Sequence, residues 1–186
     1  MEAFVYLEVE PGKVEQVVVQ LRASHGVRHA VAVIGDWDVM AAVHGTDLKS
    51  VAATVLRGIH RIEGIRRSST APVVPGDVLG QVVGGLGTPA PMQHAGDACY
   101  VHVKAAPGAA AGLVEAVHDL EGVSAVSLVA GEYDAVVEVP MAWERASRIV
   151  LEEIQGLPGV LSTRTLVAVP DLEPEDEDRD QFSAWI

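Results

Sequence analysis

Two short stretches hold the residue types best suited to grip a small polar molecule: Gly35-Asp36-Trp37-Asp38 and Gly131-Glu132-Tyr133-Asp134. In each, a glycine free to adopt φ > 0 precedes an acid, an aromatic ring and an aspartate. Asp38 and Asp134 are placed to bind loop amides or to accept a hydrogen bond from a ligand's ammonium group, and a ligand-free turn explains the same residues. Thr163 and Thr165 add two hydroxyls two apart on a strand, so both face one side while Arg164 faces the other. Hydroxyls beside an acidic turn suit an amino acid, which presents one anion and one cation. The β-branched preference for strands accounts for the same threonines without one.

Other chemistry finds less support. The seven histidines are scattered, without the spacing of metal ligands. Cys99 has no activating base beside it in sequence and reads as a small buried residue. Gly84-Gly85-Leu86-Gly87 lacks the Lys-Ser/Thr that completes a phosphate loop. Glu152-Glu153 belongs to a solvated helix face. No catalytic residue, metal site or cofactor is expected, and the chain reads as a non-enzyme.

The elements that position the two turns come from a repeat. A shift of 96 residues lays Pro11-Gly12 on Pro107-Gly108, Gly26-Val27 on Gly122-Val123, Gly35 on Gly131 and Asp38 on Asp134. Beyond about residue 140 the shift becomes 95, aligning Gly64-Ile65 with Gly159-Val160 and Thr70 with Thr165. Each copy reads strand, helix, strand, strand, helix, strand. In the first, these are Phe4–Val9, a helix opened by Pro11-Gly12, Val27–Ile34, Asp38–His44, a helix capped by Thr46, and Ile65–Val74. In the second, they are Tyr100–Ala105, Ala109–Leu120, Val123–Ala130, Tyr133–Val139, Met141–Gln155 and Val160–Val169.

The fold class that follows is α+β, with two ferredoxin-like βαββαβ domains. Inner strands such as Ala30-Val31-Ala32-Val33-Ile34 are apolar on both faces, so something must cover the face away from the helices. The other copy's sheet is the simplest cover, which predicts two sheets packed face to face as a pseudo-dimeric α/β barrel. Val5, Leu7 and Val9 should face the helices, and Phe4, Tyr6 and Glu8 the other sheet. The equivalent mixed set is Tyr100, His102 and Lys104, which would bring Glu8 and Lys104 together across the axis. The expected domains are 1–75 and 98–170, a Gly/Pro-rich linker 76–97, and an acidic tail 171–186.

The formal net charge of −13 has the wrong sign for phosphate backbones or an anionic membrane surface, so direct nucleic-acid and membrane partners are excluded. A single cysteine and the lack of a signal segment or long apolar run point to the cytoplasm.

In its strand order, its two Gly-x-aromatic-Asp turns and its Gly159-Val160-Leu161-Ser162-Thr163-Arg164-Thr165 strand entry, the chain resembles the effector-binding (RAM) domain of the Lrp/AsnC transcription regulators. The first copy carries Gly64-Ile65-Arg66-Arg67-Ser68-Ser69-Thr70 at the same entry, with Ser for the first Thr and no equivalent of Arg164. The resemblance spans residues 3–74 and 99–169 and implies tandem effector domains without the family's helix-turn-helix. It implies a small-molecule effector, an amino acid or related metabolite, held near the turns at a contact between dimers. The implied ligand residues are Gly131, Tyr133, Asp134, Thr163 and Thr165, with Gly35, Trp37, Asp38, Ser68 and Thr70 as their counterparts. Self-association and a DNA-binding Lrp/AsnC regulator are the implied partners. Two other classes stay open: a dimeric-barrel enzyme of the small monooxygenase or dismutase type, with His102 the one haem-ligand candidate, and an adaptor module.

Overall fold

The computed structural model of the chain describes residues 1–75 and 97–170. Nearly all of the expected linker and the whole expected acidic tail fall outside these residues.

The first repeat runs β1 (Glu2–Val9), α1 (Val14–Arg22), β2 (Val27–Ile34), β3 (Val39–His44), α2 (Leu48–Ala53) and β4 (Ile65–Pro72). The second runs β5 (Cys99–Ala105), α3 (Ala110–His118), β6 (Ala125–Leu128), β7 (Ala135–Val139), α4 (Trp143–Arg148) and β8 (Val160–Ala168). Both second helices continue into π-helical turns, Thr54–Gly58 and Ile149–Ile154, which the 95-residue shift superimposes. The backbone repeats as closely as the sequence. Paired glycines share their positive φ: 83° and 93° at Gly26 and Gly122, 151° at both Gly35 and Gly131.

Two local expectations are corrected. Asp47, not Thr46, caps α2, because its carboxylate accepts from the Ser50 N–H while the Ser50 hydroxyl accepts from the Asp47 N–H, a reciprocal box. β6 is shorter than Val123–Ala130, its last residues giving way to a single bridge.

The eight strands form one continuous sheet in the order β4-β1-β3-β2-β8-β5-β7-β6. One seam joins the repeats through Val33 opposite Ala168 and Ile34 opposite Val167. The other closes the barrel through Val73 opposite Val129. Val129 stands 96 residues after Val33, and Val73 stands 95 before Ala168, so the seams are related by the same pseudo-two-fold as the repeats.

The core has three layers. Val5, Leu7 and Val9 pack with Val17 and Leu21 of α1 in the first repeat. Val101 and Val103 pack with Leu113, Val117 and Ile154 in the second. Between the sheets, Phe4, Tyr6 and Met40 meet Tyr100, Val136 and Leu166. The sheet faces therefore fall as alternation required, and the doubly apolar inner strands are explained by burial on both sides. The expected Glu8–Lys104 meeting does not occur. Glu8 pairs with Arg67 at 3.1 Å and Lys104 with Asp134 at 3.3 Å, each within its own repeat, where a nearer partner is available.

Candidate functional site between the two sheets

The turns are held by their aspartates. Asp38 Oδ2 accepts from the Val9 N–H at 2.7 Å, and the Asp38 N–H donates to the Leu7 carbonyl at 3.0 Å. Asp134 does the same to Ala105 and Val103 at 2.8 and 2.9 Å. Val9 and Ala105 sit where the register of the outer strand slips, which frees their amides from the ladder. Each carboxylate fills that gap, and neither aspartate lines the cavity described next. Their bonds are those of the ligand-free reading of the turn.

The turns instead deliver the residues before them. Asp36, Trp37, Gly131, Glu132 and Tyr133 all line a narrow cavity between the sheets, with a volume of about 40 Å³. That is room for about three water-sized groups. Tyr6 and His102, at equivalent places on β1 and β5, form its inner wall, and Arg164 and Leu166 border it from β8. The four rings run in a chain. Trp37 lies 6.0 Å from Tyr6, Tyr6 meets His102 edge-on at 4.9 Å, and His102 lies 5.2 Å from Tyr133. At the mouth Arg164 Nε approaches Asp36 Oδ2 at 3.7 Å, joining the two repeats. Arg67 lies 4.5 Å over the Trp37 ring.

Burial dominates the electrostatics of the wall. His102 is 3% exposed, and loss of water pulls its pKa down to about 4, against the opposing pull of a hydrogen bond to the Arg164 main chain and of nearby Asp36. Its imidazole is therefore neutral at neutral pH. Burial pushes the Tyr6 phenol up, so it stays protonated. Burial and then Glu132 raise Tyr133 as well.

Most of the remaining expected site residues go elsewhere. Ser68 Oγ bonds His60 Nε2 at 2.7 Å, and Thr163 Oγ1 accepts from Gln155 Nε2 at 2.8 Å. Thr165 stands opposite Val101 and Thr70 opposite Val5, on the helix-facing side of the sheet. Thr70 also borders the cavity, where its face leaves the main chain to contribute. Gly35 runs so close to Leu166 and the Thr165 carbonyl that a Cβ there would meet both. Thus Trp37, Tyr133, Gly131 and Thr70 meet at one cavity, and Ser68, Thr163 and Thr165 do not join them.

Tyr6, Asp36, Glu132, Ser69 and Arg164 are added by the structure. The signal for Tyr6 and His102 was the mixed face of β1 and β5, already turned toward the other sheet. Among the described residues no group of three or more His, Cys, Asp or Glu could hold a metal ion. Cys99 is buried and burial pushes its thiol up to about 11, which leaves it inert as a nucleophile.

A duplicated βαββαβ barrel defines a class of fold, and comparison with known proteins narrows it. The family model described as Lrp/AsnC ligand binding domain matches residues 2–75 and 98–176. The chain belongs to that family. The siroheme decarboxylase NirDL shares the fold with a TM-score of 0.65 at 12% identity, over 91% of this chain and 71% of that one. A mutant chlorite dismutase from Candidatus Nitrospira defluvii aligns over 91% of both chains, with a TM-score of 0.50 and 14% identity. A hypothetical protein, PHS023, from Pyrococcus horikoshii is 25% identical over 40% of this chain and 92% of its own, with a TM-score of 0.38. No curated protein sequence matches the chain. Among the described residues no helix is long and apolar enough to cross a membrane.

Proposed function

We propose that this chain is a small-molecule sensor related to the Lrp/AsnC regulators, and that its effector is an amino acid or a closely related metabolite. The observation that supports this most is the convergence of both Gly-x-aromatic-Asp turns on one cavity whose mouth carries Arg164 beside Asp36. Opposite charges at a mouth above an aromatic slot complement a zwitterion with a small side group. With a formal charge of −13, the chain acts on transcription through a DNA-binding partner of the same family or through self-association, not by holding DNA.

The test is thermal denaturation of the full chain against the twenty amino acids and common oxo-acids. A ligand at a hundredfold excess over its Kd stabilises by about 2.7 kcal/mol, which for a chain of this size raises the melting temperature by roughly 5–10 °C. One or a few related compounds should do so; a flat response across the panel overturns the sensing reading.

The enzyme alternative has one observation in its favour, the buried neutral His102 with Nε2 unpartnered. A tetrapyrrole such as the one complexed by NirDL does not fit here. The cavity is about 40 Å³, whereas ligands of even drug size occupy pockets of roughly 300–1,000 Å³.

A further inference from the structure

Two side chains that line the cavity, Tyr6 and His102, each hold a polar atom, the hydroxyl and Nε2, that is buried without a hydrogen-bond partner. Such atoms are uncommon because burial without a partner is costly, so a pair on side chains that line one cavity points to a place for a ligand group. The His102 ring already bonds the Arg164 main chain. With Nε2 unpartnered, that bond uses Nδ1 as the donor, and Nε2 presents a lone pair. Tyr6 offers both a donor and an acceptor.

The cavity straddles the pseudo-two-fold, yet its halves differ in chemistry. Arg164 stands opposite His102 on the adjacent strand and Ser69 opposite Tyr6, in each case on the same face. Tyr-Ser in one repeat thus answers His-Arg in the other. Arg164 supplies the positive charge among the residues that line the cavity. Its pair with Asp36 is long, and both side chains are more than half exposed. An ion pair of that kind holds weakly and is readily exchanged for a ligand's carboxylate.

We propose that the cavity binds one short carboxylic acid per chain in a single orientation, with its carboxylate on Arg164 and a donor on the adjacent carbon buried between the Tyr6 hydroxyl and His102 Nε2. This rests on the sensing reading above and goes beyond it in polarity, stoichiometry and the residues that read the donor. The shared chemistry is an α-donor carboxylate. A hydroxyl satisfies both wall atoms by giving to Nε2 and accepting from Tyr6. An ammonium gives to both.

The test titrates full-length protein, labelled with ¹⁵N at the histidine rings, with glycine, glycolate and acetate. Glycine or glycolate should bind at one equivalent per chain and move the Nε2 resonance of His102, and the tighter of the two identifies the donor as ammonium or hydroxyl. Acetate, which lacks the donor, should bind at least about tenfold more weakly. Arg164→Ala should weaken binding at least about tenfold, and Ser69→Ala should change it less than about twofold. Tyr6→Phe, which keeps the ring, should erase most of the preference over acetate. Two equivalents per chain, acetate equal to glycolate, or no binding of glycine or glycolate overturns the proposal. If a larger acid from the thermal panel stabilises the protein but leaves His102 unmoved, this assignment fails while the sensing reading stands.

Discussion

Gly35→Ala is expected to lower the melting temperature well beyond the loss caused by Gly131→Ala, although the two glycines are equivalent in sequence. Both hold φ at 151°, where a Cβ carries backbone strain of about 1–3 kcal/mol. They differ in surroundings. A Cβ on Gly35 would lie 2.6 Å from Leu166 Cδ2 and 3.1 Å from the Thr165 carbonyl oxygen, whereas one on Gly131 meets nothing within 4 Å. Leu166 is 1% exposed in the layer between the sheets, and a backbone carbonyl has little freedom to yield. Overpacking there adds about 1–3 kcal/mol. At roughly 2–4 °C per kcal/mol for a chain of this size, the gap between the variants is several degrees. Because Gly35 carries Asp36 and Trp37 to the cavity and rests on the second repeat's β8, Gly35→Ala should also weaken any ligand shift. Circular dichroism melts of both variants check this; equal losses would show that the two turns are not differently packed.

The second large effect is on acid stability. The His102 pKa lies near 4 in the folded chain, against an ordinary 6.5. Well above pH 6.5 the ring is neutral in both states and contributes no pH dependence. As pH falls from 6.5 toward 4, the unfolded chain takes up a proton that the folded chain refuses, so stability declines across that window and then levels off. The shift corresponds to roughly 3 kcal/mol when complete. Urea melts of the wild type and His102→Phe at steps from pH 7.5 to 4 separate this from the carboxylates, which titrate in both proteins. The difference between the two curves should grow through the window. Asp36, Arg164, Tyr6 and Tyr133 surround the ring, and the first two favour its protonation and shallow the slope. A constant difference from pH 7.5 to 4 would mean that His102 is not buried neutral.

The repeat made most of this architecture legible. Glycines that recur at one spacing mark the same φ > 0 turns twice, and the alternation along Phe4–Val9 already assigned Tyr6 to the face that meets the other sheet. What stayed hidden depends on single hydrogen bonds. Asp36 and Asp38 are two apart on one turn, and only the displaced Val9 amide decides which of them ties the backbone and which borders the cavity. Thr163 and Ser68 were equally plausible as ligand groups until Gln155 and His60 took them. Thr46 and Asp47 both cap helices well, and the reciprocal bond from Ser50 selects the second. Glu8 and Lys104 were assigned to each other by symmetry, but intrarepeat partners stood closer. Strand faces follow from a period, whereas the partner of a polar atom follows from three-dimensional neighbours that no period encodes.

Everything proposed for this protein depends on a small molecule being held between the two repeats of one chain. A crystal structure of the protein grown with the compound that stabilises it most tests this directly. One molecule per chain is expected between Trp37 and Tyr133, with its acidic group on Arg164. Density confined to the helix-facing side near Ser68 and Thr163, or two molecules related by the pseudo-two-fold, would contradict it.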